Sequence, residues 1–199
     1  MKINYDRQMM DLLETISCRP RLLLHACCAP CATAVTERLL PHFEPILYYY
    51  NPNIAPEEEY VKRGDEIIRL GQILGVKTIV PAYEPACFYD AARGLENERE
   101  GGARCPACFS LRLEETARLA REMGISWFCT TLTVSPHKNP DMINAIGQRL
   151  SGEGLSWLPA DFKKREGYKR SIEMCREHDI YRQNYCGCTF SLEQSRSAL

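Results

Sequence analysis

The 199-residue chain sets 25 lysines and arginines against 26 aspartates and glutamates, for a formal net charge of −1, with 45% hydrophobic and 26% charged residues. That length suits one domain of ordinary size with a sizeable core, and the near-neutral charge excludes a binder that attracts polyanions by bulk electrostatics, so any nucleic-acid contact must come from a local patch. No stretch approaches the roughly 18 apolar residues of a membrane span, and the start, MKINYDRQMMDLLE, lacks an apolar core followed by a small-residue cleavage site, so a cytoplasmic chain with reduced thiols and no membrane partner is expected.

The predicted elements alternate. Residues 21–26 (RLLLHA) form a short apolar run, read as a buried strand, and residues 32–40 follow as a helix ended by Pro41. Residues 44–50 (EPILYYY) are a second strand, stopped by the turn sequence NPN. A long helix over residues 56–74 has proline at its start, three glutamates in its first turn and Gly75 at its end. Residues 76–80 (VKTIV) are a third strand. Residues 81–104 break the rhythm with Pro81, Pro85 and the polar stretch ENEREGGAR, and read as an irregular, mobile connection. A helix over 106–123 stops at Gly124, and residues 125–134 (ISWFCTTLTV) form a fourth strand with a threonine-rich end. A helix over 140–150, a short strand in LSWLPA, a charged helix over 168–178 and a cysteine-bearing tail complete the chain.

Strands separated by helices imply βαβ units and an open, mainly parallel sheet flanked by helices in a single domain spanning residues 1–199. Sites in such sheets gather at the carboxyl ends of the strands. HACCAPC follows the first strand, NPN the second and TTLTVSPHKN the fourth, so three segments converge on one sheet edge.

Eleven cysteines supply the chemistry, and most fall in three tight groups: Cys27, Cys28 and Cys31; Cys105 and Cys108; Cys186 and Cys188. Thiols that must meet one metal centre or exchange electrons are grouped this way. In CCAPC, Cys31 lies near the first turn of the next helix, where unpaired amides and the helix dipole favour a thiolate. In CPAC, two thiolates at a helix start can bind a cluster or a zinc ion, or form a redox CxxC; ligand count alone does not separate zinc from iron–sulfur. In CGC the two sulfurs are close enough to oxidise to a strained, readily reduced bridge, or both can be ligands. Cys129 within a strand and Cys175 within a helix read as core packing, while Cys18 and Cys87 are left outside the site. His25 reads as a satisfied core histidine, and of Tyr48, Tyr49 and Tyr50 at least one must enter the core. Residues 161–170 (DFKKREGYKR) place Lys163, Lys164, Arg165, Lys169 and Arg170 around Phe162 and Tyr168, either a phosphate and base-stacking patch or a solvated face.

Taken in order, LLLHACCAPC, YYNPNIAPEEEYVKR, CPACFSLRLEETA, TTLTVSPHKN, DFKKREGYKRS and YCGCTFS closely resemble the QueH type of epoxyqueuosine reductase, from about residue 21 to residue 192. The resemblance implies a fold akin to adenine-nucleotide hydrolases and PP-loop enzymes. It also implies an iron–sulfur oxidoreductase, free of cobalamin, that converts epoxyqueuosine to queuosine at the wobble position of tRNA, the last step of queuosine biosynthesis. Carried over, Cys27, Cys28, Cys105 and Cys108 would ligate a 4Fe–4S cluster, and Cys186 and Cys188 would be the redox-active pair. Cys31 would be a candidate ligand of an additional metal ion. The partners implied are tRNA carrying epoxyqueuosine and an external electron donor, with Lys163, Lys164, Arg165 and Tyr168 as candidate substrate contacts.

Two other classes share parts of this pattern. A PP-loop-like tRNA thiolation enzyme requires a glycine-rich phosphate loop after the first strand, where this chain has HACCAPC. A zinc-binding, non-enzymatic interaction module requires neither the CxC nor the third thiol of CCAPC.

Overall fold

A computed structural model describes residues 3–197. The elements run α1 (Tyr5–Thr15), β1 (Arg21–His25), α2 (Ala29–Leu39), β2 (Glu44–Tyr48), α3 (Glu57–Leu74), β3 (Lys77–Ile79), α4 (Ala86–Ala91), α5 (Arg104–Glu122), β4 (Trp127–Thr130), a 3-10 turn (Thr131–Val134), α6 (Pro140–Arg149), β5 (Ser156–Trp157), α7 (Gly167–Glu177) and α8 (Thr189–Ser197). The five strands form one parallel sheet in the order β3-β2-β1-β4-β5. The chain therefore reverses its direction of travel between β1 and β4, the position at which open α/β sheets leave a crevice beyond their strand ends.

β1 and β2 are buried at every position after the first, which is why they read as unbroken apolar runs rather than alternating ones. The register sets Leu23 beside Ile46 and Phe128, and His25 beside Tyr48 and Thr130. Helices flank the sheet: α2 packs on α3 and α7, and α5 packs on α4, α6, β1 and β4. The long helix α3 has the ends expected of it, with Pro56 before its first turn, Glu57, Glu58 and Glu59 in that turn, and Gly75 closing it in the left-handed conformation.

Four elements differ from their sequence reading. The strand expected over 125–134 ends at Thr130, because the Thr130 hydroxyl accepts from the Leu132 amide at 3.2 Å and turns the chain into a buried 3-10 turn. The irregular connection contains α4, and its polar part is gathered onto a buried arginine: Arg104 Nη1 donates to the carbonyls of Leu95, Glu96 and Glu98. The N-terminal helix α1 had a legible start, Asn4, whose side chain accepts from the Arg7 amide at 3.1 Å. It buries Met9 and Leu13 and is tied down by Asp6, which pairs with Arg38 of α2 at 2.6 Å and with Arg165 at 2.9 Å. Last, the cysteine-bearing tail enters α8 immediately after Cys188. Among the described residues, no helix is long and apolar enough to cross a membrane.

Candidate metal and thiol site

At the carboxyl end of β1 the chain passes from His25 into CCAPC. His25 is fully buried; its Nε2 donates to the Tyr50 carbonyl at 3.1 Å, which leaves Nδ1 to accept from the Thr130 hydroxyl at 2.8 Å. Burial pulls its pKa down to about 3, so the ring is neutral and structural, as expected of a satisfied core histidine. Cys28 stands at the N-cap of α2 and Cys31 in its first turn. The Cys27 amide donates to the Thr131 hydroxyl at 3.1 Å, and that hydroxyl lies 3.3 Å from the Cys27 sulfur.

The three sulfurs of Cys27, Cys28 and Cys31 all lie within 4.8 Å of one another, with Cys27 Sγ and Cys28 Sγ 3.9 Å apart. Tetrahedral bonds of about 2.3 Å to one zinc-sized ion would put two thiolates about 3.8 Å apart, so the trio is compact enough to close on a single ion. Hydrogen bonds from Cys28 and Cys31 hold the Cys27 thiol well below its ordinary range. The reciprocal effect pushes Cys28 up to about 12 and raises Cys31.

The trio opens into a cavity of about 620 Å³, whose wall also includes Cys186, Lys138, Tyr168 and Tyr185. Burial lowers the pKa of Lys138, but coupling to the Cys186, Cys27 and Cys31 thiols, where ionised, raises it by more, and the ammonium stays protonated.

The CGC turn is seated by its glycine. Gly187 has φ +130°, and a Cβ there would lie 2.9 Å from Ile54 Cγ1 and 3.1 Å from Arg63 Nη1. Its carbonyl accepts from the Ala55 amide at 2.9 Å, Tyr185 donates to the Ala55 carbonyl at 2.8 Å, and Arg63 Nη1 donates to the Cys186 carbonyl at 3.3 Å. The loop after β2 thus docks the tail, with Cys186 in the cavity wall. Cys188 precedes α8 and its sulfur accepts from the Ser191 amide at 3.4 Å. Both are free thiols, and burial pushes the Cys186 thiol up.

Cys105 lies in the first turn of α5 and its sulfur accepts from the Gly101 amide at 3.2 Å. Cys108 is buried in a small satellite core with Phe88, Ala92, Leu111, Cys188 and Phe190, and burial pushes its thiol up to about 11. Neither joins the compact trio. What connects the two groups is Arg112, 2% exposed on α5, whose charge acts on Cys108, Cys186, Cys27 and Cys105. All three cysteine groups stand at or just before helix starts, while burial raises the Cys108 and Cys186 thiols. Arg112 and Lys138 were missed from sequence because single cations carry no spacing signal, although both sit in motif segments, CPACFSLR and VSPHK.

The basic segment needs correction as a stacking patch. Phe162 is 1% exposed and belongs to the core, so it offers no platform for a base. Lys163 pairs with Asp161 at 2.7 Å, Arg165 with Asp6 at 2.9 Å and Arg170 with Glu37 at 2.8 Å. Lys164 and Tyr168 remain exposed, and Tyr168 reaches the cavity wall. Cys129 and Cys175 are core residues as expected, Cys129 donating to the Leu158 carbonyl at 3.3 Å. Tyr48, Tyr49 and Tyr50 are all buried.

A family model described as "Epoxyqueuosine reductase QueH" matches residues 22–194. A relative from Streptococcus pyogenes serotype M1 bearing that description is 44% identical over 200 residues, covering 96% of this chain and 78% of its own. A Staphylococcus epidermidis relative is 43% identical over 204 residues, covering 96% and 85%, and one from Thermotoga maritima is 35% identical over 179, covering 88% and 92%. Among solved structures, the U34-tRNA thiolase NcsA from Methanococcus maripaludis, with its [4Fe-4S] cluster, superposes with a TM-score of 0.60 at 12% identity, covering 98% of this chain and 69% of that one. That likeness establishes a shared fold.

Proposed function

The chain belongs to the epoxyqueuosine reductase QueH family, and from that premise we propose how its own thiols and cations remove the epoxide oxygen of epoxyqueuosine at the wobble position of tRNA. The observation that carries the reading is the family match over residues 22–194, a span that includes all three cysteine groups.

A 4Fe–4S cluster suits these residues on their chemistry. The donors are soft thiols at or just before helix N-termini, and the buried Arg112 guanidinium, with an unpartnered Nη2, stands ready to balance negative charge. Cys27, Cys28, Cys105 and Cys108 would hold the cluster, which supplies single-electron transfer to the substrate when bound. Cys31, beside Cys27 and Cys28, would serve an additional metal ion.

Converting the epoxide to the alkene consumes two electrons and two protons and releases water. The Cys186 and Cys188 thiols supply that amount when they close to a disulfide, and an external donor restores them. Lys138, a residue of the cavity wall, would give the proton to the departing oxygen. Tyr168 and Tyr185 give the cavity aromatic walls for an unstacked wobble base, and Lys164 contributes a phosphate contact at the exposed flank. Lys163 and Arg165 act there through the loop that they pin.

Protein purified without oxygen should contain about four irons with sulfide, and should convert epoxyqueuosine tRNA with a chemical reductant and no ATP. One zinc in place of iron, or an ATP requirement, would refute the reading.

A further inference from the structure

We propose that Arg112 is a positioning residue that supplies the buried counter-charge of the metal–thiolate centre and so sets how readily that centre is reduced. The inference rests on the iron–sulfur reading above. Its geometry is independent of it.

Arg112 ties together segments that sequence separates. Its Nε donates to the Cys108 carbonyl at 3.1 Å and its Nη1 to Asn51 Oδ1 at 3.2 Å, while Asn51 Nδ2 donates to the Ala26 carbonyl at 2.9 Å. One guanidinium thus links the helix bearing Cys105 and Cys108, through the NPN loop, to the strand end that precedes Cys27.

The charge is the unusual part. A buried cation normally has a carboxylate partner, because desolvating an unpaired ion costs several kcal/mol. Arg63, equally buried, follows that rule with Glu59 at 2.8 Å. Arg112 is in no carboxylate ion pair among the described residues, and its Nη2 is buried without a protein acceptor. The groups that would act on it once ionised are cysteines from all three groups, Cys108 first and then Cys186, Cys27 and Cys105. Such a charge is tolerated when an anionic group held by those thiols completes its partnership. A positive charge and a donor beside an iron–sulfur centre favour the reduced, more negative state.

The test uses anaerobic full-length protein and reads iron content and midpoint potential. Wild type must first contain iron and sulfide; iron-free wild type would refute the cofactor reading and not the role of Arg112. Given iron, Arg112→Gln should retain the fold and be harder to reduce, with the equilibrium constant for reduction lower by about tenfold, the size expected for one unit charge within about 10 Å at an effective dielectric near 20. Arg112→Lys should restore most of that shift. Asn51→Asp, which places a carboxylate against the guanidinium without removing it, should shift the potential in the same direction and decides the matter if Arg112→Gln does not fold. Unchanged potentials in loaded Arg112→Gln and Asn51→Asp overturn the proposal, as does an Arg112→Lys potential displaced as far as that of Arg112→Gln.

Discussion

Replacing Gly187 by alanine should undock the CGC tail while leaving the rest of the fold in place. The residue sits at φ +130°, and the added methyl would meet Ile54 Cγ1 at 2.9 Å and Arg63 Nη1 at 3.1 Å. A side chain in such backbone costs of the order of 1–3 kcal/mol, and forcing a methyl into a packed contact adds roughly another 1–3. A combined cost of about 2–6 kcal/mol lowers the docked-to-undocked ratio at least about thirtyfold, at ~1.4 kcal/mol per decade. It opposes the local interactions of one strap, chiefly the bonds of Gly187 and Tyr185 to Ala55 and of Arg63 to Cys186, rather than the sheet. The expected result is alkylation of Cys186 faster by about thirtyfold or more, lower turnover, iron content kept and an unchanged far-ultraviolet spectrum. Alkylation of Cys186 within twofold of wild type would refute the claim that this glycine seats the pair. Loss of iron instead would move the tail thiols into the ligand set.

Cys105→Ala and Cys108→Ala should each lose bound iron, measured by iron and sulfide assay, and full iron in both would remove them as ligands. Cys186→Ala should keep its iron and stop turnover; a colourless protein would reverse that division of labour. Lys164→Glu should weaken tRNA binding and lower the salt slope by about one unit, the contribution of one phosphate contact, and unaltered affinity would make this an ordinary solvated residue. Asp6→Asn should destabilise the fold by about 1–2 kcal/mol in a denaturant titration, since it breaks both the Arg38 and Arg165 pairs. Burial opposes ionisation of Asp6, but the two arginines hold its pKa below the usual carboxylate value, so the stability it adds is full above about pH 4 and fades as pH falls through the folded pKa. The variant should therefore show a flatter acid limb, and an unchanged limb would assign the acid sensitivity elsewhere.

Much of this protein is written in local sequence. LLLH and PILY are apolar without alternation because both faces of a parallel strand are covered, and Pro56, three glutamates and Gly75 mark the ends of α3 by backbone chemistry that needs no neighbours. The three cysteine groups are legible for the same reason: each is a short spacing at a helix start. Tertiary structure decided the rest. Phe162 reads as part of a basic surface and is core, and Arg165 is paired with an aspartate 159 residues away, because burial and pairing depend on what else arrives at that spot. Thr130 ends β4 early by capping a turn that propensity alone would continue as strand. Arg112, Asn51 and Lys138 are single polar residues with no period, and their meaning appears only when β1, the NPN loop, α5 and the tail meet at the crevice between β1 and β4. Charge compensation in a protein interior acts through space, and no local pattern records it.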